Sequence, residues 1–253
     1  MRFDILTLFP EYFGGILASS ILKRARESGA IEIGVHDIRS YATDKHHICD
    51  DAPYGGGAGM VMKAEPLALA LEDVLKFAVG HGEPPCPVVL MTPQGRRFTQ
   101  EVAHELSGHR QLCLVCGHYE GIDERFTECA VTDEISIGDY VTTGGEPAAA
   151  VILDAVARLV PGVLGNDDSA RFDSFGDGLL EAPHYTRPAV WRERATPEVL
   201  LGGNHGVVER WRLKESLRRT ALRRPDLIER ARSGESWTEL KETLWRELQT
   251  ETP

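Results

Sequence analysis

The chain has little that would carry it into or across a membrane. No apolar run among its 253 residues approaches the roughly 20 that a bilayer-spanning helix needs. The opening MRFDILTLFPEYF has neither the basic start nor the small-residue cleavage site of a secretory signal. A cytoplasmic protein with no membrane partner is expected. Cysteine is scarce. Cys49, Cys86, Cys113, Cys116 and Cys129 are odd in number and scattered, which makes a poor disulfide framework and suits a reducing compartment. Internal repeats and low-complexity tracts are absent. So is net positive charge, since the formal value is -11.

That acidity argues against a polyanionic partner until its distribution is read. Residues 1–175 hold 14 Lys and Arg against 26 Asp and Glu, whereas residues 176–253 hold 14 against 13. Phosphate binding depends on local basic patches rather than on total charge, and the second part contains one. The segment 209–224, ERWRLKESLRRTALRR, carries Arg210, Arg212, Lys214, Arg218, Arg219, Arg223 and Arg224. At helical spacing 210, 214 and 218 share one face, while 212, 219 and 223 share another. With Trp211 as a stacking platform the surface suits an RNA backbone. A solvated helix face, or intersubunit ion pairs with the acidic N-terminal half, would leave the same pattern.

The pattern of apolar residues predicts strands alternating with helices. Residues 3–9, 31–35, 87–92, 111–116 and 133–138 read as strands. Residues 11–28, closed by Gly29, then 63–79 and 145–160, read as helices. Such alternation implies a mainly parallel α/β sheet. Residues 161–178 are rich in Gly, Asp and Ser and have no apolar period, which marks a linker or a functional lid. Several helices follow, including 205–222 and 235–250.

Three glycine-bearing segments stand out. Pro53-Tyr54-Gly55-Gly56-Gly57-Ala58-Gly59-Met60 has a backbone free to approach a ligand closely. No Gly-Lys-Ser/Thr follows, so it is not a phosphate-binding P-loop. Cys116-Gly117-His118-Tyr119-Glu120-Gly121-Ile122-Asp123-Glu124-Arg125 follows a strand, where open α/β sheets bind ligands. Ser136 to Glu146, SIGDYVTTGGE, joins a strand to the helix from 145. Each also reads as an ordinary turn, with Asp123 capping the next helix. Together they suggest one pocket walled by backbone. Cys113 and Cys116 have CxxC spacing, but strand alternation would send them to opposite faces, against a metal or redox pair. Asp173 by itself suits an Asx-turn or a helix cap better than a catalytic base.

PYGGGAGM, LVCGHYEGIDER, SIGDYVTTGGE, PGVLG, HYTRP and the GNH…RWRLKESLRRT stretch closely resemble the bacterial tRNA (guanine-N1-)-methyltransferases of the SPOUT class. The resemblance runs from LFPEYF to about residue 230. It implies an α/β fold in which a trefoil-knotted parallel-sheet domain, residues 1–164, binds S-adenosylmethionine. A linker or lid at 165–176 and a small all-helical tRNA-binding domain at 177–253 would follow. It implies a homodimer, tRNA as substrate, and N1 of guanosine 37 after another G as the target. The cofactor pocket would fall on Leu90, Met91, Pro93, Gly117, Tyr119, Ser136, Ile137, Gly138, Tyr140, Gly144 and Gly145. Asp173 would be the general base and Arg158 the catalytic arginine. Substrate contacts would come from Gly55, Gly59, Glu120, His184, Arg187, Arg210, Arg218 and Arg219. Mg²⁺ would assist, with no dedicated ligand cluster visible.

The chain departs from the family pattern in three places. His118 stands where Arg is usual, Ala58 replaces a proline, and Pro147 is displaced by one position. Competing readings are a sibling RNA methyltransferase acting on another base or a ribose hydroxyl, a non-catalytic RNA-binding module, and an enzyme that uses the glycine loops for nucleotide phosphates.

Overall fold

The apolar runs of the first two-thirds of the chain become strands buried on both faces. In the computed structural model, which describes residues 1–76, 78–80, 82, 84–165, 173–234 and 236–251, the chain divides into two compact units, Met1–Asn166 and Asp167–Pro253.

The first unit is built on β1 (Arg2–Thr7), β2 (Glu32–Asp37), β5 (Val88–Arg97), β6 (Gln111–Cys116) and β7 (Asp133–Ser136). They form one sheet in the order β2-β1-β6-β5-β7, and every pairing is parallel. A short antiparallel ladder joins β3 (Asp50–Asp51) to β4 (Val61–Met62). The helices are α1 (Gly14–Leu17), α2 (Ser20–Glu27), α3 (Ala64–Leu75), α4 (Gln100–Ser107), α5 (Glu124–Ala130) and α6 (Glu146–Ala157).

Alternation along the strands divides the core in two. Phe3, Ile5, Val89, Met91, Leu112, Leu114 and Cys116 pack with residues of α2, α4 and α6 on one face. Leu6, Val88, Leu90, Cys113 and Val115 pack with α3 and α5 on the other. Both faces are covered, as a parallel sheet requires. The expected separation of Cys113 and Cys116 onto opposite faces is observed, and burial raises both thiols well above their ordinary range.

Local chemistry sets the helix ends. Thr99 accepts the Val102 N–H and caps α4, a contact of about 1 kcal/mol. Asp123 accepts the Arg125 N–H at the start of α5. Pro147 lies in the first turn of α6, where its missing N–H removes no helical bond. The expected helix at 11–28 is broken, with a 3₁₀ turn at Pro10–Phe13 and separate segments α1 and α2. The expected helix at 63–79 ends earlier, at Leu75, because Lys76 takes a left-handed conformation; Phe77 lies outside the described residues.

In the second unit β8 (Val190–Trp191) and β9 (Arg194–Ala195) precede α7 (His205–Arg223), α8 (Pro225–Ser233) and α9 (Glu239–Glu251). Its core gathers Leu179, Leu217, Ile228, Ala231, Leu244 and Leu248. The hairpin amends the expectation of an all-helical domain. It turns on Arg192 and Glu193, both at positive φ, where sequence signals would call for Asn-Gly. Residues 166–172 of the expected linker and Glu235 of the last expected helix lie outside the described residues. Among the described residues no helix is long and apolar enough to cross a membrane.

Candidate active site

Strands β5, β6 and β7 lie side by side, because β5 sits between the other two. They and their loops enclose a cavity of about 360 Å³. Leu90, Met91 and Pro93 come from within β5, where its pairing with β7 shifts register after Met91, Gly117 and Tyr119 from the loop after β6, and Ser136, Ile137, Gly138, Tyr140, Gly144 and Gly145 from the end of β7 and the loop beyond it. The structure thus brings together every cofactor residue expected from sequence, with Glu120 beside them.

Backbone approach explains why glycine occurs where it does. The Gly145 N–H donates to the Gly117 carbonyl at 2.8 Å. A Cβ on Gly145 would stand 2.8 Å from Cys116 Cα and 3.0 Å from the Gly117 nitrogen. The loops after β6 and β7 can meet only without that carbon. Gly59 has φ +83, a conformation that favours glycine, and a Cβ there would displace the Glu120 side chain. The Glu120 N–H donates to the Met60 carbonyl at 3.0 Å, which ties the glycine loop to the β6 loop. Gly55, also at positive φ, does not line the cavity. Tyr119 holds φ +61, a strained conformation for a bulky residue, of the kind that functional sites retain.

The lining has a definite charge. Glu120, Glu124 and Glu134 contribute carboxylates, and among the described residues no Lys or Arg takes part. A phosphate-rich ligand would meet uncompensated repulsion there. A compact cationic ligand with a flat apolar body would find Leu90, Met91, Ile135 and Ile137 for its body and carboxylates for its charge.

These features coincide with sequence kinship. The family model described as tRNA (Guanine-1)-methyltransferase TrmD matches residues 1–230. The chain belongs to this family. Proteins named tRNA (guanine-N(1)-)-methyltransferase are similar over nearly the whole length. That of Chloroflexus aggregans is 61% identical over 231 residues, covering 91% of this chain and 89% of its own. That of Dehalococcoides mccartyi is 56% identical over 230 residues, covering 91% of each. That of Geobacter sp. is 54% identical over 249 residues, covering 98% of this chain and 96% of its own. Family membership makes the chain an S-adenosylmethionine-dependent tRNA methyltransferase of the SPOUT class.

The two residues expected to act in catalysis fall on different units. Arg158 is the C-cap residue of α6 in the first unit. Asp173 belongs to the second unit, where its carbonyl accepts the Gly176 N–H at 3.1 Å. His184 lies 3.2 Å from Glu181. On α7 the two basic faces differ. Arg210 pairs with Glu247, Lys214 with Glu247 and Glu251, and Arg218 with Glu215 and Glu251. Arg212, Arg219 and Arg223 form no ion pair among the described residues. Arg219 therefore keeps its charge available for RNA, whereas Arg210 and Arg218 would first have to leave carboxylates.

Two residues near the cavity carry little signal in sequence. Glu146 opens α6 and is 4% exposed. Thr7 Oγ1 donates to Glu146 Oε1 at 2.7 Å and accepts the Phe9 N–H at 2.9 Å. An acidic residue in a first helical turn is so common that its burial cannot be read from residue order. His118, singled out as a departure from the family pattern, lines the cavity with its ring centroid 4.9 Å from those of Phe9 and Tyr119. Its Nδ1 is buried without a hydrogen-bond partner among the described residues.

Proposed function

We propose that the protein transfers the methyl group of S-adenosylmethionine to N1 of guanosine 37 in tRNAs that carry G at 36 and 37. Methylation of guanine in tRNA follows from the family. The atom and position are the finer reading. The observation that carries the cofactor assignment is the cavity at β5, β6 and β7, lined by carboxylates and, among the described residues, free of Lys and Arg. It suits a sulfonium and an ammonium group and disfavours the reading of a phosphate-binding nucleotide enzyme.

Leu90, Met91, Ile135 and Ile137 would hold the adenine, with backbone from Gly117, Gly138 and Gly145 at its edges. The bound cofactor supplies an electrophilic methyl on a positive sulfur. What the protein must add is alignment and a path for one proton. Guanine N1 bears a proton at neutral pH and is a poor nucleophile. Asp173 accepts that proton as the new N–C bond forms. Arg158 stabilises the negative charge that grows on guanine O6. Glu120 contacts the guanine side of the pocket. Among the described residues no three His, Cys, Asp or Glu side chains converge into a metal-binding group. The Mg²⁺ expected to assist finds no ready-made cage there.

Docking of the tRNA falls to the second unit. His184, Arg187 and the basic helix α7 provide the surface, Arg219 more readily than Arg210 or Arg218. A homodimer with a trefoil-knotted first domain, working in the cytoplasm, completes the reading, with domain limits at 1–164 and 177–253. The test is methyl transfer from labelled cofactor to a tRNA transcript with G36-G37, beside a transcript with A at 37. N1-methylguanosine in the first alone supports the reading. Label at another nucleoside would reassign the enzyme to a sibling specificity.

A further inference from the structure

The second unit holds a cavity of its own, about 530 Å³, far from the elements that build the cofactor site in sequence and enclosed by residues of this unit alone. One wall is apolar, made by Leu200, Leu201 and Val208. Tyr185 adds an aromatic face that is 49% exposed, with the Trp211 ring 6.3 Å away between centroids. Among the described residues the charged lining is cationic: Arg187 and Arg212 take part, and no Asp or Glu does. Neither arginine forms an ion pair among the described residues, while His184 lies 3.2 Å from Glu181 at the margin.

A pocket that joins apolar side chains, an open aromatic ring and two guanidinium groups without ion pairs among the described residues has a definite complement. Its ligand must be planar and apolar on its faces and anionic at its edge. An unpaired nucleotide meets both requirements, because a base stacks on an aromatic ring irrespective of sequence and its phosphate pairs with arginine in a bidentate manner. Val208 and Arg212 stand one turn apart on α7, so the helix presents wall and cation side by side.

We propose that this cavity holds one unstacked nucleotide of the tRNA, separate from the guanosine that is methylated, with its base against Tyr185 and its phosphate on Arg187 and Arg212. The proposal rests on the tRNA reading above and deepens it. A second copy of the chain seated on the same cavity is the competing occupant, and the experiment separates the two.

Full-length parent protein and the variants Tyr185→Ala, Tyr185→Phe and Arg212→Gln would be titrated with a G36-G37 tRNA transcript over a range of salt. Each would also be assayed for methyl transfer and examined by sedimentation. Tyr185→Ala and Arg212→Gln are expected to weaken tRNA binding about tenfold, within the range of one base–aromatic stack. Tyr185→Phe should bind like the parent, because stacking does not need the hydroxyl. Arg212→Gln alone should lower the salt slope by about one. KM for tRNA should rise with kcat at saturating tRNA, cofactor affinity and sedimentation unchanged. Parental tRNA affinity in Tyr185→Ala would overturn the proposal. So would an altered sedimentation coefficient in that variant, which would assign the cavity to a second copy. If the parent itself fails to methylate the transcript, the substrate reading fails instead of the pocket.

Discussion

The two units solve opposite electrostatic problems. The first presents a cavity with three glutamates in its lining and, among the described residues, no Lys or Arg. The second presents a cavity with two arginines and, among the described residues, no acid, beside a helix whose Arg212, Arg219 and Arg223 are left without carboxylate partners among those residues. One is matched to a small ligand bearing a sulfonium, the other to a polyanion. A net charge of -11 conceals this division, because summing over the chain cancels the features that select the ligands.

The sharpest test of the division is Asp173→Asn. The proposed base belongs to the second unit and the cavity at β5, β6 and β7 to the first. Turnover should fall by about 10²- to 10⁴-fold, the usual contribution of a positioned base, with cofactor affinity unchanged in equilibrium dialysis. Near-parental single-turnover rates would remove Asp173 from the chemistry.

Gly145→Ala attacks the first unit alone. The added carbon meets the Cys116 and Gly117 backbone, which cannot swing aside as a side chain could. Overpacking of this kind costs about 1–3 kcal/mol. A lowered unfolding midpoint and weakened cofactor binding are expected, with tRNA affinity preserved. Parental cofactor affinity in a folded variant would show that the loops have more room than their spacing indicates.

Toward the amino ends of the strands, buried Asp4 offers a pH-dependent test. Burial by itself would raise its pKa, but hydrogen bonds from His36, Arg2 and Gln111 outweigh that and hold it at about 2. A carboxylate lowered on folding contributes stability that is fully present above its unfolded pKa and is lost as pH falls through the folded value. From the ordinary 3.8 to about 2 the gain is about 2 kcal/mol. Denaturant melts of the parent and Asp4→Asn should differ by about that much at neutral pH and converge as pH falls from 4 toward 2. A gap that stays constant with pH would mean that folding leaves the Asp4 pKa unshifted.

The smallest expected effect separates the two faces of α7. Neutralising Arg219 and Arg223 together should lower the salt slope of tRNA binding by about two, one for each arginine that no longer meets a phosphate. Neutralising Arg210, which Glu247 already engages, should change it by less. Equal slopes in both variants would show that RNA pulls Arg210 away from its carboxylate.

Much of this is legible in the sequence, for identifiable reasons. Strands buried on both faces read as apolar runs, and that signal places β1, β5, β6 and β7, whereas β2, at the sheet edge, is read from the alternation of IEIGV. The cofactor residues stand out because GHYEGIDER and SIGDYVTTGGE are long, ordered motifs whose glycines mark close backbone contacts. The hairpin β8–β9 is invisible in sequence because Arg192-Glu193 carries no turn signature, and its positive φ values are imposed by the surrounding fold. The paired state of Arg210, Lys214 and Arg218 is equally hidden, because their partners Glu247 and Glu251 lie more than thirty residues away.

By itself the sequence determined the family, the alternation of strands and helices, the loops that carry chemistry and the unequal spread of charge. These are properties of local residue order. Tertiary structure alone decided that β5 lies between β6 and β7, and so that three separated segments wall one cavity. It decided which arginines of α7 are neutralised and which are available. It also decided that Glu146 lies buried against Thr7 while Tyr185 stands open beside Trp211. Each of those outcomes depends on residues distant in the chain being brought within a few ångströms, and no local pattern encodes which of them will meet.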